Sequence, residues 1–344
     1  MTVLRLGGFI VRVHRRAAVV STAALVVAVL TLVASLVFGD YPLPLSDVLT
    51  VLAGGEGATR RGAYVVWQLR MPRALGAIMI GAAFGLSGAI VQRLVRNPLA
   101  SPDVVGINAG AAVVAVVLVV FFAAGPLPTA LGAAAGALGT ASLVYLLSRR
   151  RGISGYRLVL IGIGVTAALT SVIAYVLNVA NVYIAEQAAI WLSGSLIGRS
   201  WGHVLPVVAV VAVGIPVALR LAAALRTLEL GDDLAVALGT RAERARGALL
   251  LVAVVLAAAA TAAAGPIAFV ALAAPQITRR LVHGRGLALV ASAAVGGALL
   301  GVADFVARRV LAPVELPVGV LTAVLGAPLL VWLLARENRT GRTG

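Results

Sequence analysis

The chain has 344 residues, of which 61% are hydrophobic and 12% charged, with a mean hydropathy of +1.07. Soluble domains are about half apolar and about a quarter charged, so the composition excludes a soluble multidomain enzyme and points to membrane spans. All 28 basic residues are arginine, giving a formal charge of +16 with no lysine for a phosphate-binding P-loop or a Schiff base; there is no cysteine, and His14, His203 and His283 are too far apart in sequence to suggest a metal site.

Arg5, Arg12, Arg15 and Arg16 precede an uncharged run over 17–38. That run is too long for a signal-peptide core and reads as an uncleaved first span. Further uncharged runs cover 74–92, 104–124, 127–148, 158–180, 204–219, 247–278, 287–303 and 316–335. The run 247–278 exceeds the ~20 residues of one span. Gly265-Pro266 divides it into 247–264 and 267–282, because proline breaks or kinks a helix. The sequence therefore predicts an all-α integral membrane protein, one transmembrane domain over 1–344 with ten helices. With the N-terminus inside, most arginines fall on inner connections, leaving Arg60, Arg61, Arg70, Arg73, Arg199, Arg308 and Arg309 outside. That bias places both termini in the cytoplasm of a plasma or inner membrane. The longer connections are 39–72 and 181–203 outside and 220–246 inside.

None of the twelve acids falls at the middle of a predicted span. Ion-coupled carriers place ionisable groups within the membrane, and cation channels need acid rings or carbonyl filters, so both classes are disfavoured. A permease driven from elsewhere needs neither, but it needs a contact for its driver. The inner stretch Glu229-Leu230-Gly231-Asp232-Asp233-Leu234-Ala235-Val236-Ala237-Leu238-Gly239 reads as a short amphipathic helix. Leu230, Leu234 and Leu238 form an apolar stripe, Asp232 and Asp233 suit the positive first turn, and Gly239 is a stop. Anionic lipid repels an acid-led helix, so docking into a groove of a cytoplasmic partner is favoured over lying on the bilayer.

Thr166, Thr170, Ser171, Tyr175 and Asn178 lie on the fifth predicted span, where they either line a pathway or hydrogen-bond between helices. The pairs Gly81/Gly85, Gly106/Gly110, Gly132/Gly136 and Gly297/Gly301 predict close helix packing. Leu192-Ser193-Gly194-Ser195 matches the signature loop of ABC ATPases over only four residues, and carries no functional weight.

Several motifs in order along the chain resemble the iron-chelate and cobalamin ABC permease family. They are Leu69-Arg70-Met71-Pro72-Arg73 followed by Gly81 to Gly88; Arg96-Asn97-Pro98-Leu99-Ala100-Ser101-Pro102-Asp103; Leu230-Gly231-Asp232-Asp233; Ala264 to Val270; Ala274-Pro275-Gln276; and Glu315-Leu316-Pro317-Val318-Gly319 with Gly326-Ala327-Pro328. Ser101 stands where the family commonly carries an acid, and Met71 where it commonly carries leucine. The resemblance implies the ten-helix, cobalamin-permease-like architecture of type II importers, with two permease subunits forming one pathway. It implies two cytoplasmic ABC ATPase subunits that bind ATP-Mg, and an extracytoplasmic binding protein. It implies no catalytic residue, cofactor or metal site in this chain; the apolar composition argues against a nucleic-acid partner despite the charge of +16.

The family's coupling helices correspond here to 229–239. Its outer basic residues pair with acids of the binding protein, which makes Arg60, Arg61, Arg70, Arg73 and Arg199 docking candidates; anchoring of the second span is the rival role for Arg70 and Arg73. Pro275-Gln276, where many members carry Pro-His, is similar to the G-type subunits of ferric enterobactin permeases. That similarity implies a catecholate siderophore and a heterodimer with a different permease. A haem or cobalamin importer built on a homodimer, and an ion-coupled carrier, are the competing expectations.

Overall fold

The computed structural model describes residues 2–6, 9–13, 15–39, 41–55, 59–148, 155–283, 288–312 and 314–340. His14, the acids Asp40 and Glu56, the arginines at 149–151 and Arg285 lie outside the described residues.

Two short strands, β1 (Thr2–Leu6) and β2 (Phe9–Val13), pair antiparallel with Leu6 opposite Phe9. Every other described element is helical. α1 (Arg15–Val37), α2 (Leu45–Leu52) and α3 (Arg60–Tyr64) lead through one wide π turn, Val65–Arg70, into α4 (Met71–Leu94). A 3₁₀ turn at Pro102–Val105 precedes α5 (Ile107–Phe122), α6 (Pro126–Ser148), α7 (Gly155–Val179) and α8 (Val182–Leu192). α9 (Trp201–Arg220), α10 (Ala222–Glu229), α11 (Asp232–Ala237) and α12 (Ala242–Ala264) follow. α13 (Val270–Leu281), α14 (Leu289–Ala307) and α15 (Val318–Thr340) complete the chain.

Among the described residues, seven helical segments are long and apolar enough to cross a membrane: α1, the continuous run Arg60–Leu94, Pro126–Ser148, Arg157–Val179, α9, α12 and α14. α5, α8 and the first half of α15 are shorter apolar helices. A helix also lies in every one of the ten intervals read from the sequence.

α4 is the hub. Its alanines and glycines leave no bulk between backbones, and it packs on α14, α12, α13 and α9. Such packing is van der Waals contact between small residues, since lipid offers no hydrophobic drive between helices. Phe84, Ile80, Leu86 and Ile90, among the largest fully buried side chains, are on this helix. α1 and α7, by contrast, are mostly uncovered.

Two differences from the sequence reading have local causes. The helical run containing α4 begins well before residue 74, because Arg70 finds carbonyl acceptors and Arg73 carboxylates inside the protein rather than being held in a loop. The connections 39–72 and 181–203 also carry helices. α2 buries Val48 and Val51 against Leu36, Leu43 and Val66, and α8 buries Ala188 beside Val116 and Val176. The break at Gly265-Pro266 falls between α12 and α13 as the proline dictates, with Gly265 at φ +77°.

Candidate functional site

The connection between α9 and α12 does not form one helix over 229–239. α10 ends at Glu229, and α11 holds only Asp232–Ala237. Gly231 breaks the helix at φ +114°, ψ 160°, a conformation open to glycine and to almost nothing else. Leu230 therefore precedes α11 and Leu238 caps it, so the i, i+4, i+8 stripe is not a continuous helical face. Yet the apolar side chains still point outward: Leu234 is 55% exposed, and Leu230, Val236 and Leu238 are exposed with it. Ala235 is the inward contact, fully buried.

Charge holds this turn in place. The Asp232 carboxylate accepts from Arg246 Nη2 at 2.5 Å, and Arg96 Nη2 lies 3.9 Å from the same oxygen. Glu229 accepts from Arg93 Nη1 at 2.6 Å, tying the end of α10 to the end of α4. The Thr227 and Thr240 hydroxyls, 2.8 Å apart, close the base of the loop. Asp233 is exposed. The sequence signalled the leucines and acids but not their pairing with Arg93, Arg96 and Arg246, which lie on other helices or across a turn with no period to mark the contact.

Beside this turn is a pocket of about 250 Å³ at the ends of α4 and α13. Gln92 lines it, and buried Gln276 sits behind that wall. Gln276 Nε2 donates to Gln92 Oε1 at 2.7 Å and to the Pro98 carbonyl at 2.5 Å. Gln276 Oε1 accepts from Arg279 Nη2 at 3.0 Å, and Gln92 Nε2 donates to the Leu272 carbonyl at 3.1 Å. In the neighbouring turn, burial pushes the Asp103 carboxyl up to about 6, opposed by the Ser101 hydroxyl at 3.3 Å.

At the opposite ends of these helices is a second charged cluster. Arg73 Nε donates to Asp304 Oδ1 at 3.1 Å and Arg73 Nη1 to Glu315 Oε2 at 2.7 Å. Arg308 Nη2 lies 3.2 Å from Asp304 Oδ2 and donates to Ser35 Oγ at 2.7 Å. Arg70 donates to the Leu36, Val37 and Tyr41 carbonyls, satisfying carbonyls at the end of α1. Arg70, Arg73, Arg308 and Glu315 border a pocket of about 270 Å³.

The structure places the five arginines read from the sequence in different settings. Arg70 and Arg73 are 8% and 9% exposed and committed to internal partners, so they are not loop side chains awaiting a partner. Arg60 and Arg61 are exposed, with Arg61 5.2 Å over the Tyr41 ring. Arg199 is half-buried and donates from Nε to the Ser195 carbonyl at 3.1 Å.

The five α7 candidates do not converge on one cavity of this subunit. Thr170 and Ser171 donate to the Thr166 and Ala167 carbonyls of their own helix, at 2.8 and 3.0 Å. Tyr175 and Asn178 are exposed on the uncovered face, while Thr166 turns inward toward Gly106. A polar contact that the sequence did not mark is Thr261 Oγ1 donating to Asn108 Oδ1 at 2.8 Å, between α12 and α5.

Apolar helices around a glycine-rich hub, with charge clusters at both ends, define a polytopic helical membrane protein. The chain belongs to the FecCD transport family, whose model matches residues 26–336. It is 43% identical over 301 residues to the ferric enterobactin transport system permease protein FepG of Escherichia coli, covering 88% of this chain and 91% of that protein. It is 38% identical over 293 residues to the iron(3+)-hydroxamate import system permease protein FhuG of Bacillus subtilis, covering 83% and 87%. It is 36% identical over 308 residues to the vitamin B12 import system permease protein BtuC of Yersinia enterocolitica, covering 86% and 90%. A solved inward-facing structure assigned to the metal-chelate type of ABC transporter superposes with a TM-score of 0.82 at 27% identity, over 93% of this chain and 99% of that one.

Proposed function

We propose that this chain is one permease subunit of an ATP-driven importer of metal chelates, with ferric siderophores of the catecholate type as cargo. It spans a cell membrane ten times with both termini in the cytoplasm. It pairs with a second, different permease, two cytoplasmic ATPases that bind ATP-Mg, and an extracytoplasmic binding protein. The identities to FepG and FhuG support the iron-chelate class.

The observation that carries the coupling role is α11: exposed leucines on a turn fixed from behind by the Asp232–Arg246 bridge and by buried Ala235. ATP-driven closure of the ATPase pair displaces a groove that grips Leu230, Leu234 and Leu238. Asp232 and Glu229 pass the displacement to α12 and α4 through Arg246 and Arg93. Exposed Asp233 meets the rim of that groove. The uncovered α7 face, with Thr170, Ser171, Tyr175 and Asn178, meets the second permease across the pathway. Arg60 and Arg61 meet acids of the binding protein.

The test is uptake of radiolabelled iron on defined catecholate, hydroxamate and citrate chelators, with cobalamin and haem in parallel, by cells with and without this gene. Loss of catecholate uptake, restored by the wild-type gene and not by Leu234→Asp, supports the reading. Loss of cobalamin or haem uptake instead replaces the cargo, a result the 36% identity to BtuC makes worth scoring. Unchanged uptake of every chelate overturns it.

A further inference from the structure

The pocket beside α11 has a charge imbalance that the leucine turn does not use. Three guanidiniums border it, from Arg93, Arg96 and Arg279, against one carboxylate, Glu229. Glu229 is engaged by Arg93 at 2.6 Å. Arg96 reaches Asp232 only at 3.9 Å, and Arg246 already holds that carboxylate at 2.5 Å. Arg279 donates to a neutral amide oxygen of Gln276. Among the described residues, then, two exposed arginines face this pocket without a close carboxylate of their own.

The pocket's position argues what fills it. It lies at the end of α4, the helix most enclosed by its neighbours: 83% of its apolar window is buried, against 11% for α1. Its opening is therefore on the end face of the bundle rather than on the lipid perimeter. Glu229 is shared between the pocket wall and the base of the exposed leucine turn, so socket and turn form one continuous surface.

We propose that this pocket is a socket for an acidic side chain of the cytoplasmic ATPase, which seats its carboxylate against Arg96 and Arg279 while its groove takes the leucines of α11. The inference rests on the reading that α11 docks the ATPase, and adds a second, electrostatic contact to it. Gln276 holds Arg279 at the pocket edge, and its own amide is fixed by Gln92 and the Pro98 carbonyl. A partly desolvated, charge-assisted hydrogen bond of this kind contributes more than an exposed surface pair.

The experiment uses the assembled transporter. Wild type, Arg96→Gln/Arg279→Gln, Glu229→Gln and Leu234→Asp are each purified with the second permease, and their affinity for the cognate ATPase is measured across a salt series. Size-exclusion profile and melting temperature establish that each variant is folded. The double arginine variant is expected to weaken ATPase binding about tenfold or more and to flatten its salt dependence. Glu229→Gln is expected to tighten binding, an effect that misfolding does not mimic. If Leu234→Asp loses the ATPase while the double arginine variant binds as wild type, the socket is overturned and the docking reading stands. If none of the variants alters binding, the docking reading falls with it. If the double arginine variant instead loses a co-purifying anionic phospholipid, with ATPase affinity unchanged, the pocket is a headgroup site and the proposal is overturned.

Discussion

A Cβ built on Gly81 lands on the carbonyl oxygen of Gly296, and a Cβ built on Gly296 lands on the carbonyl oxygen of Gly81. The two glycines face each other where α4 and α14 cross, and neither backbone can withdraw without opening the hub. Gly81→Val is therefore expected to lower stability by about 1–3 kcal/mol or to prevent assembly, as overpacking does. Gly139→Ala is the control, because that glycine on α6 has open space around it; it is expected to be neutral or slightly stabilising. Melting of the detergent-purified protein separates the two, and equal melting temperatures would refute the close-packed crossing.

Asp304 is fully buried, between Arg73 and Arg308. Removing it leaves two guanidiniums with little solvent access, so Asp304→Ala is expected to cost about 3–5 kcal/mol. Glu315→Gln removes a carboxylate that is one-third exposed, and water takes over part of its role; its cost is expected to stay below about 1 kcal/mol. The ratio of the two losses, read from thermal or denaturant unfolding, checks the assignment. A larger loss for Glu315→Gln would reverse it.

How much of this was legible in the sequence follows from what each feature depends on. The helices were legible because an uncharged run has to cover its backbone in lipid, and the Gly265-Pro266 break because proline cannot donate. The Gly81/Gly85 and Gly132/Gly136 pairs showed up through spacing alone. The path of the helix through Arg70 and Arg73 was not legible: a count of uncharged residues stops at an arginine, whereas the fold supplies α1 carbonyls and Asp304 to accept its hydrogens. The same holds for Gln92 and Gln276, 184 positions apart, which meet only because α13 folds back against α4. In the stretch 229–239 the exposed leucines were readable from their spacing, but the break at Gly231 was not, since a lone glycine inside a periodic pattern does not by itself mark a break.

Gly231 and Leu234 give opposite expectations for that turn. Gly231→Ala forces a side chain into φ +114° and is expected to cost about 1–3 kcal/mol, lowering the melting temperature with transport reduced in proportion to the folded fraction. Leu234→Asp changes an exposed side chain and is expected to alter stability by less than about 0.5 kcal/mol while abolishing ATP-driven uptake. Melting curves and uptake measured on the same preparations distinguish a folding defect from a coupling defect. Normal uptake in Leu234→Asp cells would remove α11 from the mechanism.

The raised Asp103 carboxyl sets a pH dependence with a definite sign. Its folded value of about 6 lies above the ordinary 3.8, so between those values the folded chain keeps a proton that the unfolded chain has released. The stability tied to this group is therefore fully present below about pH 4, falls as pH rises toward 6, and is flat above that. Asp103→Asn removes the titration and keeps a group able to accept from Ser101. The variant is expected to melt higher than wild type at about pH 7, with the difference shrinking toward pH 4. Melting both proteins in one detergent across that range, and plotting the difference, cancels the other titrating groups. A difference that stays constant with pH would show that Asp103 titrates at its ordinary value, exposed to water in the turn before α5.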